Sequence, residues 1–360
     1  MDDQVLQTVQ LDSLKTSSSF CVHLKADGSV EKLTNLSLTD YLAPIKNSSV
    51  AWIDCTTKDL EKELEKISHT MGFTQIPIQK LLSGFFSSYE DADTELGIML
   101  PAVALNGLEI TVRPLIILVR DNFVVTVHNE DIVRLLKFSR YAGPFLKKLR
   151  SEPRLEQMTL ILERIIDENN DRNFEYLREI EKRGDDISKK LIDENISKKQ
   201  LAHEIYEMKH VLIDYLNVLW ATKDVVDSLR YGDADLITDD EKLLGRIGIL
   251  SDNIDRHIEL SEQMSNVLAS GLEVMQSIYN NQLQTMNNKF AIVTAYLTVL
   301  GTAFLVPNTI ATIVSSSPRL SSMVEGSGDV YFYLLGLSTL LATVISYLWV
   351  RKVWSKKDDN

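Results

Sequence analysis

Residues 290–317 read FAIVTAYLTVLGTAFLVPNTIATIVSSS, and the first 25 of them, from Phe290 onward, carry no charge. An α-helix needs roughly 20 apolar residues to cross about 30 Å of hydrocarbon. Thr294, Thr298 and Thr302 are four residues apart, so their hydroxyls lie on one helical face. Lipid offers that face no partner, so it must meet water or other helices. The stretch therefore predicts a membrane-spanning helix whose polar face either lines a pore or bonds across packed helices.

A second uncharged run, Val330–Val350, has 21 residues and predicts another membrane span. The tail that follows it, RKVWSKKDDN, holds four basic residues, and Lys289 precedes the first span. The connection between the spans holds only Arg319 as a basic residue. Because basic residues favour the cytoplasmic side, we expect both termini in the cytoplasm and the connection outside. The sequence thus predicts a multi-pass protein of the cell membrane, with the lipid bilayer as a partner.

The chain of 360 residues has a formal net charge of −13. Five basic and four acidic residues from position 290 onward give that part +1, so the first 289 residues carry −14. An acidic chain repels nucleic acid and anionic lipid, which argues against both as partners. The acidic part could gather cations, or its charge could simply keep the surface soluble. Cys21 and Cys55 form neither a disulfide framework nor a metal-ligand pattern.

Residues 1–150 have the composition of a compact α+β domain, an α/β sandwich. Thr57–Ser68 has a polar start and helical spacing of apolar residues, and Asp121-Asn122 suggests a hairpin turn. Asp54 and His128 end two apolar runs, where a structural role is more common than a catalytic one. Neither a phosphate-binding loop nor a catalytic triad is visible, so we do not expect an enzyme. The expected strands are Val5–Leu11, Phe20–Leu24, Val50–Asp54, Gly97–Val103, Glu109–Val119 and Phe123–His128.

Long helices are expected after residue 150. The first lies within Pro153–Lys199, and the second covers Lys199–Tyr231. A third begins near Thr238-Asp239-Asp240, and if it continues to residue 314 it is roughly 110 Å long at 1.5 Å per residue. His203, Glu204 and His210 could bind a metal, although surface roles are more common for such residues. The expected segments are an α/β domain at 1–150, a helical stalk at 151–289, a first span at 290–314, an outer connection at 315–329, a second span at 330–350 and a basic tail at 351–360.

This layout resembles the CorA family of divalent-cation transporters over about 340 residues. AWIDCTTKDLEKELEKISHTMGF, from Ala51, is similar to that family's Trp-Ile-Asp strand and first helix, and RPLIILVRDNFVVTVH to its paired strands. SDNIDRHIELSEQM, from Ser251, resembles part of its stalk helix. Tyr279 and Asn288, and Pro307 with Thr309, match residues before and within its pore span.

The resemblance implies a homopentamer with a central pore, formed by five first spans inside a ring of five second spans and continued by a cytosolic funnel. No covalently bound cofactor is expected, and a divalent cation, Mg²⁺ first, is the transported and regulatory ion. Rings of amide and hydroxyl oxygens can hold hydrated Mg²⁺ through its waters. The expected pore-lining residues are Asn281, Gln284, Asn288, Ala291, Ala295, Thr298, Thr302, Leu305, Val306, Thr309 and Thr312, of which Leu305 and Val306 would form an apolar constriction.

The chain departs from the family pattern at the outer pore mouth. The Gly-Met-Asn signature is absent, and Ser315, Ser316 and Ser317 occupy its place. Serine hydroxyls have a shorter reach than asparagine amides, so a broader or different cation range is expected. Glu325 in the outer connection resembles an acidic residue of the family that would concentrate cations.

A second departure concerns regulation by metal ions between subunits. The stalk aspartates of the family match Asp252 and Asp255, which would be the metal ligands, but its acidic pair aligns with Gln79 and Lys80. A lysine ammonium is a permanent charge where the family places a removable ion. The hypothesis is that Lys80 pairs with Asp252 or Asp255 of the adjacent subunit; the alternative is that Lys80 faces solvent.

The leading interpretation is a channel that passes divalent cations down their electrochemical gradient, with Mg²⁺ first and Co²⁺, Ni²⁺ or Zn²⁺ as further candidates. One alternative is a membrane scaffold or sensor that keeps the fold without conducting. Another is a Zn²⁺ transporter with proton coupling.

Overall fold

The computed structural model describes residues 18–106, 109–130, 132, 135–190, 197–231, 234–324 and 328–358. The strand expected at Val5–Leu11 lies outside these residues. The strands are β1 Ser18–Lys25, β2 Val30–Thr34, β3 Ser48–Thr57, β4 Ser88–Ala92, β5 Glu95–Asn106, β6 Glu109–Arg120 and β7 Phe123–Asn129. The helices are α1 Leu38–Lys46, α2 Leu60–Thr70, α3 Ile78–Leu82, α4 Leu135–Lys148, α5 Arg154–Lys190, α6 Lys198–Tyr231, α7 Glu241–Ser316, α8 Pro318–Val324 and α9 Gly328–Asp358.

The seven described strands form one mixed sheet in the order β2-β1-β3-β7-β6-β5-β4. β3 and β7 are parallel, and the other neighbours are antiparallel. Helices α1, α2 and α3 pack their apolar residues on one face, against Ile53, Cys55 and Val127 among others. Helices α4, α5 and α6 contact strands of the same sheet. The α/β sandwich is therefore confirmed. The segment VAWIDC of β3 is mainly apolar because its residues are covered on both faces of the sheet.

The sequence located the central strands and missed the two edges. Five of the expected strands are present as β1, β3, β5, β6 and β7, with ends shifted by a few residues. β2 (VEKLT) and β4 (SYEDA) were not expected, and both lie at the ends of the strand order. Edge strands are short and polar because charged residues discourage pairing with other chains. Such strands lack the apolar run of residues from which the other strands were predicted.

The helix starts are set by side-chain caps. Asp59, within the expected polar start, caps α2 and accepts a hydrogen bond from the Lys62 N–H. The expected start of the third long helix is confirmed, since Asp240 accepts from the amides of Lys242 (3.0 Å) and Leu243 (3.1 Å).

The chain divides into two compact units within α7, between Leu272 and Glu273. The first unit holds the sheet together with α5 and α6, so these helices, expected in a segment of their own, share a compact unit with the strands. The second unit holds the rest of α7 with α8 and α9. The outer connection expected at 315–329 contains the helix α8.

Glu95 joins the sheet to the loop that precedes α3. Its carboxylate is buried and accepts hydrogen bonds from the backbone amides of Thr74 (2.9 Å), Gln75 (2.8 Å) and Ile76 (3.2 Å). Arg120 Nη1 lies 3.7 Å from the same carboxylate. A carboxylate is needed here because it offers only acceptors to three converging N–H groups.

The substitution Glu95→Gln is therefore expected to destabilise the protein by about 2 kcal/mol, because an amide group faces donors that need an acceptor. Thermal unfolding of the detergent-solubilised protein, followed by circular dichroism, measures the effect. Glu61→Gln on the exposed surface of α2 is the matched control and should leave the melting temperature unchanged. Equal melting temperatures for the two variants would contradict this role of Glu95.

Candidate cation pathway

The expected pore-lining residues all lie on α7, a continuous helix of 76 residues. α7 and α9 contain the two windows of the described chain that are apolar and long enough to cross a membrane, with mean hydropathies of 1.9 and 1.7. Most of the expected pore-lining side chains are exposed, and Ala295, Thr302 and Val306 are half-buried. Spacings of three and four keep these residues within one sector of the helix. Ala295 lies at the edge of that sector, where it also lines a cleft between α7 and α9.

The threonine hydroxyls of α7 donate to the backbone of their own helix. Each of four hydroxyls reaches the carbonyl four residues earlier, and this bond uses the only proton that a hydroxyl has. The oxygen keeps lone pairs that can accept from a water molecule or bind a cation. These bonds are Thr298 to Thr294 (2.8 Å), Thr302 to Thr298 (2.5 Å), Thr309 to Leu305 (2.7 Å) and Thr312 to Asn308 (2.8 Å).

Leu305 and Val306 interrupt the polar sector just before Pro307. Leu305 has the largest apolar side chain among the expected pore-lining residues, and it exposes 67% of its surface. Pro307 lies inside α7 and has no N–H to donate to the carbonyl of Ala303. The carbonyl of Ala303 has therefore lost its usual helical donor.

The three serines form the junction at which α7 ends. Ser315 and Ser316 are the last two residues of α7, and the Ser316 hydroxyl donates to the Ile313 carbonyl (3.1 Å). The Ser317 carbonyl accepts from Ser321 (3.0 Å) at the start of α8. The carboxyl end of a helix carries a partial negative charge, which favours cations. Glu325, expected to concentrate cations nearby, lies outside the described residues.

Lys80 has an acidic partner within its own subunit. Its Nζ lies 2.8 Å from Glu90 Oε2 in β4, and the lysine side chain remains 69% exposed. The carboxylate of Glu90 is only 13% exposed. Lys80 therefore has a partner within its own subunit but is still accessible to a second one. Its pairing with an aspartate of the adjacent subunit stays a prediction.

Asp255 is paired with a lysine of α6. Lys223 Nζ lies 2.8 Å from the Asp255 carboxylate and 3.3 Å from Asp227. The hydrogen bond to Asp255, with a smaller contribution from Asp227, raises the pKa of Lys223 above its usual value. Asp252 is exposed and has no hydrogen-bond or ion-pair partner in the part of the chain that the structure describes. Of the two stalk aspartates, Asp252 is thus the one ready to accept an external cation.

His257 follows Asp252 by five residues and Asp255 by two on α7. Its ring stacks on Phe174 of α5 with centroids 4.1 Å apart. Burial lowers the pKa of His257, and the Asp171 carboxylate opposes that shift. The neutral ring therefore serves as an aromatic packing surface between α5 and α7.

The structure brings Asp54 and His128 together. His128 Nε2 lies 3.3 Å from an oxygen of Asp54, and the Thr126 hydroxyl donates to that carboxylate (2.5 Å) and accepts from Trp52 Nε1 (3.0 Å). The network joins β3 to β7 beneath the helices, which fits the structural role expected for Asp54 and His128. Their proximity was missed because it depends on the parallel pairing of two distant strands.

The histidines of α6 pair along their own helix. His203 lies 3.2 Å from Glu207, and His210 lies 2.9 Å from the Tyr206 hydroxyl. Within the described ranges of one chain, no three His, Cys, Asp or Glu side chains converge as metal ligands would. A regulatory metal at Asp252 and Asp255, with further ligands from a second subunit, remains a prediction.

Three comparisons relate the chain to known proteins. A family model described as CorA-like Mg²⁺ transporter protein matches residues 47–352. The cobalt/magnesium transport protein CorA of Methanocaldococcus jannaschii is 20% identical over 335 residues, which cover 92% of this chain and 98% of that protein.

Two solved structures show the same fold. The complete CorA magnesium transporter of Methanocaldococcus jannaschii matches with a TM-score of 0.65 at 18% identity, covering 92% of this chain and 97% of that one. The cytoplasmic domain of ZntB from Vibrio parahaemolyticus matches with a TM-score of 0.54 at 12% identity, covering 73% of this chain and 98% of that domain.

The family match covers most of the chain, including both apolar windows, and confirms the resemblance inferred from the sequence motifs. It also confirms the expectation that the protein is not an enzyme, because the family consists of membrane transporters. The chain belongs to the CorA-like Mg²⁺ transporter family.

Proposed function

We propose that the protein is a homopentameric channel of the cell membrane that passes divalent cations, Mg²⁺ first, down their electrochemical gradient, with both termini in the cytoplasm. The observation that carries this proposal is the exposed small-and-polar sector of α7, in which the threonine hydroxyls have already donated their protons to their own helix. Family membership supports divalent-cation transport as the activity.

The chemistry of the sector suits a hydrated cation. Mg²⁺ gives up its waters reluctantly, and those waters point their hydrogens outward. Oxygens that only accept match these hydrogens, whereas a free hydroxyl could turn its own proton towards the cation. Thr298 and Thr309 present such oxygens about three helical turns apart, which suits an ion that moves between successive rings.

One helix cannot enclose a pathway, so copies of α7 must face each other across water. Small residues such as Ala291 permit close approach, and Leu305 would form an apolar ring able to stop conduction by dewetting. The number of copies, five, comes from the resemblance to the CorA family.

The outer mouth is expected to select less strictly than a Gly-Met-Asn filter. Ser315, Ser316 and Ser317 provide hydroxyls, and the carboxyl end of each α7 adds a partial negative charge. These groups attract cations but reach less far than amides. Co²⁺, Ni²⁺ and Zn²⁺ are therefore expected to compete with Mg²⁺ for entry.

Replacing Thr298 by valine removes a ring of hydroxyl oxygens while keeping the side-chain volume. Mg²⁺ flux into liposomes, followed with an internal fluorescent indicator, is expected to fall about tenfold, equivalent to one hydrogen bond of about 1.4 kcal/mol lost at the barrier. Thr343→Val is the matched control, because Thr343 on α9 makes the same bond to its own helix, with the Thr339 carbonyl (2.7 Å).

Equal loss in both threonine variants would indicate a general effect on helix packing and contradict the pathway. Absence of Mg²⁺, Co²⁺, Ni²⁺ and Zn²⁺ flux in the unmodified protein would overturn the transport proposal itself. It would favour the second candidate, a non-conducting scaffold or sensor, which the replacement of Gly-Met-Asn by three serines specifically suggests. Zn²⁺ flux that follows an imposed pH gradient would identify the proton-coupled alternative.

The regulatory hypothesis is tested by Lys80→Glu. This change places a second carboxylate beside Glu90 and restores acidity where the family holds an ion between subunits. Mg²⁺ at ten times its dissociation constant should then stabilise the assembled protein by about 1.4 kcal/mol, seen as a rise in melting temperature.

Lys62→Glu is the control for this charge reversal, because Lys62 pairs with Asp59 (2.6 Å) on the exposed surface of α2. The Lys62→Glu variant should show the same change in melting temperature with Mg²⁺ as the unmodified protein. An identical response in the Lys80 and Lys62 variants would count against the inter-subunit role of Lys80.

A further inference from the structure

The second unit contains a cleft between the two membrane-spanning helices. The cleft has a volume of about 180 Å³ and lies between the first turns of the span in α7 and the last turns of the span in α9. Its walls include Ile292 and Val299 from α7 and Val350 from α9. Because the two helices run in opposite directions, these residues meet at one end of the spans.

Three of the residues that line the cleft carry polar groups. Tyr296 and Tyr347 line it from opposite helices, and Arg351 lines it at the end of the span in α9. Arg351 is exposed and has no acidic partner among the residues that the structure describes. Tyrosine and arginine at the end of a span are typical of the boundary between hydrocarbon and lipid headgroups.

A second cation lies on the same side of α7. Lys289 precedes Ile292 by three residues and Tyr296 by seven, so the three share one helical face. The cleft therefore has mainly apolar walls with Arg351 at one end, and Lys289, which does not line it, lies about one helical turn before Ile292. The net charge of the whole chain, which argues against anionic lipid, is carried by the first 289 residues, whereas the part from residue 290 onward is +1.

We propose that this cleft binds one acyl chain of an anionic phospholipid, whose phosphate is held by Arg351. A guanidinium group offers several N–H donors in a fork that matches phosphate oxygens, and Lys289 adds a point charge nearby. The apolar walls exclude water from the chain, so the site distinguishes a lipid from a free phosphate ion. Basic pockets between membrane helices on the cytoplasmic side suit acidic headgroups.

The test is native mass spectrometry of the full-length protein in detergent, with phosphatidylglycerol or phosphatidylcholine of the same acyl chains. The unmodified protein is expected to retain phosphatidylglycerol in preference to phosphatidylcholine. Arg351→Gln should lower phosphatidylglycerol occupancy about tenfold. Lys352→Gln, which removes the same charge from a neighbouring residue that does not line the cleft, should leave the occupancy unchanged.

Val299→Phe provides an independent test, because it fills the cleft and leaves every charge in place. It should reduce retention of phosphatidylglycerol even if Arg351→Gln fails to fold. Equal occupancy in the Arg351 and Lys352 variants, equal retention of the two lipids, or undiminished retention in Val299→Phe would each overturn the proposal. Displacement of the lipid by inorganic phosphate alone would also do so. These measurements need no ion flux, so failure of the lipid site and failure of the channel are distinguishable.

Discussion

The hydrogen bond from four threonine hydroxyls of the span in α7 to the carbonyl one turn earlier is the interaction on which the membrane part depends. It satisfies the hydroxyl proton within the helix, so the helix tolerates a polar sector in a hydrocarbon environment. The remaining lone pairs still require donors, and lipid has none. Water is the natural donor, and water between spans is what a cation pathway requires.

The same helix divides its surface between two environments. Thr298 and Thr309 lie in the sector assigned to the pathway, while Ile292, Tyr296 and Val299 lie towards α9. Ala295 lies at the border, and its small side chain suits both neighbours.

In the first unit, charged side chains form ion pairs between separate elements of the fold. Lys80 and Glu90 are ten residues apart, and Lys223 and Asp255 are 32 apart. Neither pair follows from local spacing, since each forms only after α3 packs beside β4 or α6 beside α7. The edge strands β2 and β4 and the helix α8 were also missed, because short polar segments carry weak local signals.

The sequence by itself determined the two spans, the long helices, five strands of the sheet and the family resemblance. Hydrophobic periodicity and the length of a charge-free run depend only on residues that are neighbours along the chain, so they can be read without knowing the fold. Only the tertiary structure decided which partners Lys80, Asp255 and His128 have, and that a cleft beside Arg351 separates the spans. Charged and polar side chains have several candidate partners along the chain, and packing alone determines which of them lies within hydrogen-bonding distance.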